Sequence, residues 1–330
     1  MAILATQRVL TLDYWKLAYD LVPGDVVFDQ NGNPVTITLI QTYRSAHCHE
    51  VTFSDHLTIC GDVRMSLPLE DNRYRQRSDS YKGKLQFRRP LIVKSIEQLL
   101  EEPLVNHINR KKYSVPTAKP LQLPHQTLPV PPFIFGYWFF NRRSNGDLIP
   151  SVGNRDFILE KFVDHGYKVK EKDLESTGER NFVTKPTVVS HLVPNIPTKI
   201  PNNYLLASSE QRFELLQGIL YSKSYTYNQQ KKRFRFTDKS KTLISQIQYL
   251  AESLGCKTSI EYLERHKHYT IFIKTKMKIF PQQDVNPHTK HYSRRYVTKI
   301  TKLPDQLCVY IETDDPDKTI LVGEGFISCL

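Results

Sequence analysis

Six prolines fall within residues 115–132: Pro116, Pro120, Pro124, Pro129, Pro131 and Pro132. Proline has no amide proton, and its ring clashes with the preceding helical turn. At this density it continues neither a helix nor a central strand. The run is expected to be an extended linker and a domain boundary. The length of 330 residues suits two domains at ~100–200 residues each.

The patterns differ on either side of this run. Before it, Val26-Val27-Phe28 leads into Asp29-Gln30-Asn31-Gly32-Asn33-Pro34, and Val35 to Ile40 follows. Asn-Gly between β-branched runs signals a hairpin. Glu50 to Phe53 and Leu57 to Cys60 repeat the pattern. Residues 71–90 are basic, with Arg73, Arg75, Arg77, Lys82, Lys84, Arg88 and Arg89 set among Tyr74, Tyr81 and Phe87. Ser95 is expected to cap a short helix to Leu100, although Glu97 stands one residue too early for a capping box. After the prolines the pattern becomes α/β. Phe133 to Phe140 is aromatic and apolar, and helical spacing covers Arg155 to His165, Tyr204 to Leu220 (entered through Ser208-Ser209) and Ser240 to Leu254, ended by Gly255. Ser222 to Thr237 reads as a hairpin turning at Asn228-Gln229-Gln230. Ile260 to Tyr262, Tyr269 to Ile273 and most of Arg295 to Leu330 read as strands. The order β, α/β, β implies an interrupted β domain: 1–114 and 283–330 form one body and 133–282 the insert. The fold class is α+β.

The formal charge of +12 favours a polyanionic partner, either nucleic acid or an acidic protein surface. Five scattered cysteines argue against a disulfide framework. His47-Cys48-His49 has metal-ligand chemistry, but neighbours on a strand point to opposite faces. The trio is read instead as a strand with one buried cysteine, and no metal is expected. There is no run of ~18 apolar residues and no signal pattern at Met1 to Leu12. A cytoplasmic setting is expected, with no membrane partner.

Certain residues carry a family resemblance. Leu21-Val22-Pro23-Gly24-Asp25-Val26-Val27 resembles the L-x-P-G-D-x-V strand of Hint domains, the fold of inteins. Thr319 to Ile327 resembles the C-terminal intein block, and Tyr296 to Asp317 the strand pair before it. Phe135-Gly136-Tyr137-Trp138-Phe139-Phe140-Asn141-Arg142 resembles the first motif of LAGLIDADG endonucleases. Leu215 to Ser224 resembles the second, with the lead-in Ile200 to Ser208. The resemblance covers most of the chain. It implies a pseudo-twofold αββαββα insert whose motif helices pack through Gly136 and Gly218. In the family each helix end delivers a carboxylate to a shared magnesium site, beside sheets that sit on duplex DNA. Two motif copies in one chain imply a monomer with internal pseudo-symmetry.

This chain departs from the family at the positions that do chemistry. Asn141 and Lys223 stand where the metal-binding acids belong. An amide holds a hard cation weakly, and a lysine repels it. Magnesium is therefore expected only if nuclease activity is retained. Splicing needs a Cys or Ser at the first residue, but the start is Met1-Ala2-Ile3-Leu4-Ala5, with Thr6 the nearest hydroxyl. Val63 stands where the catalytic His belongs. Ile327-Ser328-Cys329-Leu330 lacks the Asn that cyclises. Taken as a whole gene, the chain also has no flanking segments to join. No catalytic residue is assigned.

A binding surface remains. Phe234 and Phe236 are expected to face the core, so Arg233 and Arg235 face out, with Tyr225 and Tyr227 in the same outward phase. Arg142 and Arg143 follow the first helix. With Lys223, Lys231 and Lys232, and the basic patch of Arg73, Arg75, Arg77, Lys82 and Lys84, these are the candidate DNA contacts. The primary reading is an inactive relative that binds double-stranded DNA. The alternative is a structural or interaction subunit with a protein partner. Free-standing intein relatives are frequent in phages, which makes the host cytoplasm or a virion the corresponding setting. An active nuclease ranks last.

Overall fold

Asp29 shows how local chemistry sets the first hairpin. Its carboxylate accepts from the Asn33 amide at 2.7 Å, and its carbonyl accepts from Gly32 at 3.0 Å. Gly32 takes φ +82°, a conformation glycine adopts without strain. The computed structural model of the chain describes residues 1–72, 76–81, 84–88, 91–142, 155–167, 169–173, 180–184, 197–222, 225–228, 233–280 and 294–330. The candidate contacts Arg73, Arg75, Lys82, Arg143, Lys223, Lys231 and Lys232 lie outside the described residues.

The chain begins with β1 (Ala2–Leu4), β2 (Arg8–Leu10), β3 (Trp15–Leu17), β4 (Val26–Phe28), β5 (Pro34–Ser45), β6 (Cys48–Phe53), β7 (Thr58–Asp62), β8 (Ser66–Asp71), β9 (Gln76–Tyr81), β10 (Lys84–Arg88) and β11 (Leu91–Ser95). Helix α1 (Ile96–Leu100) and β12 (Tyr113–Pro116) follow. Next come α2 (Pro132–Asn141), α3 (Arg155–Asp164), β13 (Val169–Asp173), β14 (Arg180–Thr184), α4 (Asn202–Leu205), α5 (Ser209–Leu220), β15 (Tyr225–Asn228) and β16 (Arg233–Asp238). The remainder is α6 (Lys241–Glu252), β17 (Lys257–Leu263), β18 (His268–Lys274), β19 (Arg294–Lys302), β20 (Gln306–Thr313), β21 (Ile320–Val322) and β22 (Ile327–Cys329). The fold is α+β.

The chain divides into two compact units. One comprises Met1–Gln122, Gly255–Lys257 and His288–Leu330; the other comprises Leu123–Leu254 and Thr258–Pro287. The first holds a ten-stranded sheet in the order β11-β8-β12-β19-β6-β7-β1-β20-β5-β4. It also holds a four-stranded sheet, β22-β21-β2-β3. Strands from both ends of the chain interleave: β1 lies between β7 and β20, and β19 between β12 and β6. The buried core draws on Ile3, Val9, Val51, Leu67, Val115, Val297, Val309 and Val322. The Pro23-Gly24-Asp25 turn has a clear physical basis. Gly24 takes φ +95° and donates to the Ile37 carbonyl at 2.8 Å. Asp25 accepts from the Val22 amide at 3.0 Å and pairs with Lys16 at 2.6 Å.

The unit boundary after Gln122 falls inside the proline run, and the run is hydrogen-bonded within each unit. Lys119 and Gln122 donate to the carbonyls of Gln30 and Gly32. Farther along, Gln126 and Val130 exchange hydrogen bonds with Gln211 and Tyr204. Leu121 and Val130 are fully buried. Prolines remove donors from the run, and side chains and neighbouring backbone satisfy its remaining groups. The expected helix from Tyr204 to Leu220 is two helices, because Ser208 turns extended and caps α5 in a capping box with Gln211. Ser95 makes the same box with Gln98, the position after Glu97. The basic stretch contains a hairpin, with Arg77 opposite Phe87 and Lys84 opposite Tyr81. No described helix is long and apolar enough to cross a membrane.

Candidate nucleic-acid interface

Helix α2 is apolar on every side, and all of its residues except Phe140 are buried. Such a helix forms only inside a core. Pro132 starts it, where a missing amide proton costs nothing. Its partner is α5. A Cβ on Gly136 would stand 2.6 Å from the Leu215 carbonyl oxygen, and one on Gly218 would stand 2.2 Å from that of Phe133. The two backbones therefore touch, as the glycines predicted. Phe133 packs edge-on to Tyr221, and Phe135 stacks on Tyr204 at 4.2 Å.

The end of α2 carries Asn141, which is buried at 2% exposure. Its Nδ2 donates to the Tyr137 carbonyl at 2.8 Å. A carboxylate at this position has no proton for that carbonyl and meets the negative end of the helix dipole. The amide is thus suited to a helix end that holds no cation. At the end of α5, Tyr221 and Ser222 are buried, and their amides donate to Gln217 and Ile219. Among the described residues no group of three or more His, Cys, Asp or Glu side chains is placed to hold a metal.

Arg142 does not face outward as a DNA contact would. Its guanidinium donates to the carbonyls of Phe139 and, at 2.7 Å, Pro197. It lies over the Phe139 ring at 4.2 Å and the Trp138 ring at 5.0 Å. Burial lowers its pKa. A cation at a helix C-terminus complements the dipole, and this local attraction captures the side chain.

The sheet β15-β16-β18-β17 does present cations. Along β16, Phe234 and Phe236 are buried, Arg233 is half-buried and Arg235 is exposed. The alternation matches the expected one. The tyrosine phase does not. Tyr227 pairs with Phe234, and directly opposed residues share a face. Tyr227 packs on Phe234 with ring centroids 4.8 Å apart. The positions opposite the arginines are Thr226 and Asn228, which the sequence reading missed. Phe272 was missed as well. It pairs with Arg235 and carries the Arg233 guanidinium 3.7 Å from its ring centre. An accurate strand register would have revealed both.

Val63 and the His47-Cys48-His49 trio lie in the other unit. Val63 supplies backbone bonds to His47 and Glu97 and packs its side chain on the core. Cys48 and His49 are both buried, while His47 is exposed. This is one buried histidine more than the sequence reading expected.

No family model matches the chain. The replicative DNA helicase DnaB of Mycobacterium intracellulare is 24% identical over 323 residues, which is 93% of this chain and 52% of that protein. The chain thus spans about half the length of the curated relative it matches. Among solved structures it is similar to the MchDnaB-1 intein, with 24% identity over 20% of this chain and 52% of that one and a TM-score of 0.20. It is also similar to I-DmoI in complex with DNA and Mn, with 11% identity over 44% of this chain and 89% of that one and a TM-score of 0.32.

Proposed function

Starting from a chain homologous to a DnaB intein, with an intein-like unit and an endonuclease-like unit, we propose a protein that binds double-stranded DNA without cutting it. The observation that carries this reading is the face of the β15-β16-β18 sheet holding Arg233, Arg235 and Asn228. Its opposite face is anchored by buried Phe234 and Phe236. Arg235 is exposed and reaches phosphate or base edges; Asn228 adds an amide suited to an adenine edge. Phe272 holds the Arg233 guanidinium in place, which reduces the ordering cost of a contact.

The absence of cleavage rests on Asn141 and Lys223. Hydrolysis at a paired-metal site needs carboxylates that neutralise the cations and activate water. The Asn141 amide instead closes its own helix end. The protein works as a monomer, because Gly136 and Gly218 build the motif-helix pair within one chain. A plasmid assay with magnesium or manganese tests the reading. It should show retarded but intact plasmid. Nicking that disappears when a carboxylate of the chain is removed would refute it.

A second reading, an interaction protein, draws on a separate observation. Leu12, Tyr14, Leu17, Tyr19 and Val22 are all exposed, between 39% and 61%. All five fall within residues 12–22, and exposed apolar side chains that form a contiguous patch mark protein contact surfaces.

A further inference from the structure

We propose that Cys48 and Cys308 form a modification site, a buried thiol pair that a peroxide oxidant converts to a disulfide. Both side chains have zero exposure, and their sulfurs are 3.6 Å apart. Strand pairing alone does not produce this contact. β7 and β1 lie between β6 and β20 in the sheet, and three strand spacings in a flat sheet would separate them by ~14 Å. The sheet instead coils. The Leu303 amide, between β19 and β20, donates to the Cys48 carbonyl at 2.8 Å and brings the start of β6 against the β19–β20 connection. The Cys48 thiol donates to the Ser45 carbonyl at 3.3 Å. Leu4, Tyr43 and Leu303 close an apolar wall around the pair.

The reaction balances with hydrogen peroxide. One sulfur attacks a peroxide oxygen, the O–O bond breaks, and a sulfenic acid and water result. The second sulfur attacks the sulfenic sulfur, the S–O bond breaks, the S–S bond forms and a second water leaves. Two thiols are oxidised and one peroxide is reduced. Burial pushes the Cys308 thiol up to about 12, so the reaction is slow and proceeds through local opening. The closed bond ties together residues 260 positions apart. A loop of that length removes much freedom from the unfolded chain.

The test exposes the full chain to hydrogen peroxide under native conditions. Free thiols are then alkylated in denaturant, and the protein is mapped by mass spectrometry. The expected product is a peptide linking Cys48 to Cys308, with the intact mass lower by two hydrogens and restored by dithiothreitol. The melting temperature should rise by roughly 5–10 °C. C60S should retain the link, and C48S and C308S should lose it. If either of the latter fails to fold, the map of the unsubstituted chain and C60S decides. The proposal is overturned if both cysteines remain alkylatable while half-buried Cys60 is consumed, or if the linked peptides join other cysteines.

Discussion

A Cβ placed on Gly218 would meet the carbonyl oxygen of Phe133 at 2.2 Å. The obstacle is backbone within a buried helix, so no rotamer change relieves it. Alanine improves helix propensity by up to ~1 kcal/mol, but overpacking of this kind costs ~1–3 kcal/mol or more. G218A should destabilise the unit that holds α2 and α5 by ~2 kcal/mol or more in urea melts followed by circular dichroism. G136A, with a first contact at 2.6 Å, should cost less. Equal stability of G218A and the unsubstituted chain would show that the helices can move apart without penalty.

The two arginines Arg142 and Arg235 should separate in function. Arg142 is held on carbonyls and rings at the end of α2, so R142A should lower the melting temperature and leave the salt dependence of DNA binding unchanged. R235A should leave melting unchanged and reduce the log–log salt slope by ~0.9, one phosphate contact. Melting curves and binding isotherms on the same preparations check both.

Much of this arrangement was legible in the sequence where the determining chemistry is local. Asn31-Gly32, Pro23-Gly24-Asp25 and the glycines of the motif helices each impose a backbone geometry on their own neighbourhood, and the expected elements are present. The tyrosine phase was not legible. Tyr227 faces the core because it opposes Phe234 on β16, and that register is a property of the strand pair and not of either strand's own pattern. Arg142 was misread for a related reason: a helix end and the Pro197 carbonyl, far away in sequence, outcompete solvent for it. The meeting of Cys48 and Cys308 depends on the coil of a whole sheet, which no local pattern encodes.

Asp55 and Arg295 form a buried ion pair at 2.8 Å, each almost without exposure. Lys257 lies 3.8 Å from the same carboxylate. Removing the acid leaves buried Arg295 and half-buried Lys257 without this carboxylate, which costs ~3–5 kcal/mol. D55A should therefore unfold the unit that holds the ten-stranded sheet at markedly lower urea. A matched loss in R295M, but not in a double variant, would show coupling between the two.

Glu102 sets an acid limb. Hydrogen bonds from Lys94 and Tyr113 hold its carboxyl at about 2, below the ordinary 4.5. Because the folded-state value is depressed, the stabilisation is complete above the ordinary value and is lost as pH falls toward 2. E102Q should lower stability at neutral pH and flatten its fall between those limits, converging with the unsubstituted chain as pH approaches 2, as read by melting temperature across a pH series.

The central claim is a DNA-binding face on a chain without the metal acids. Fluorescence anisotropy with random-sequence duplex DNA, across a salt series without divalent cations, tests it most directly. The account predicts binding at low salt that weakens steeply as salt rises, with a log–log slope corresponding to several phosphate contacts at ~0.9 each. No binding at low salt would contradict it.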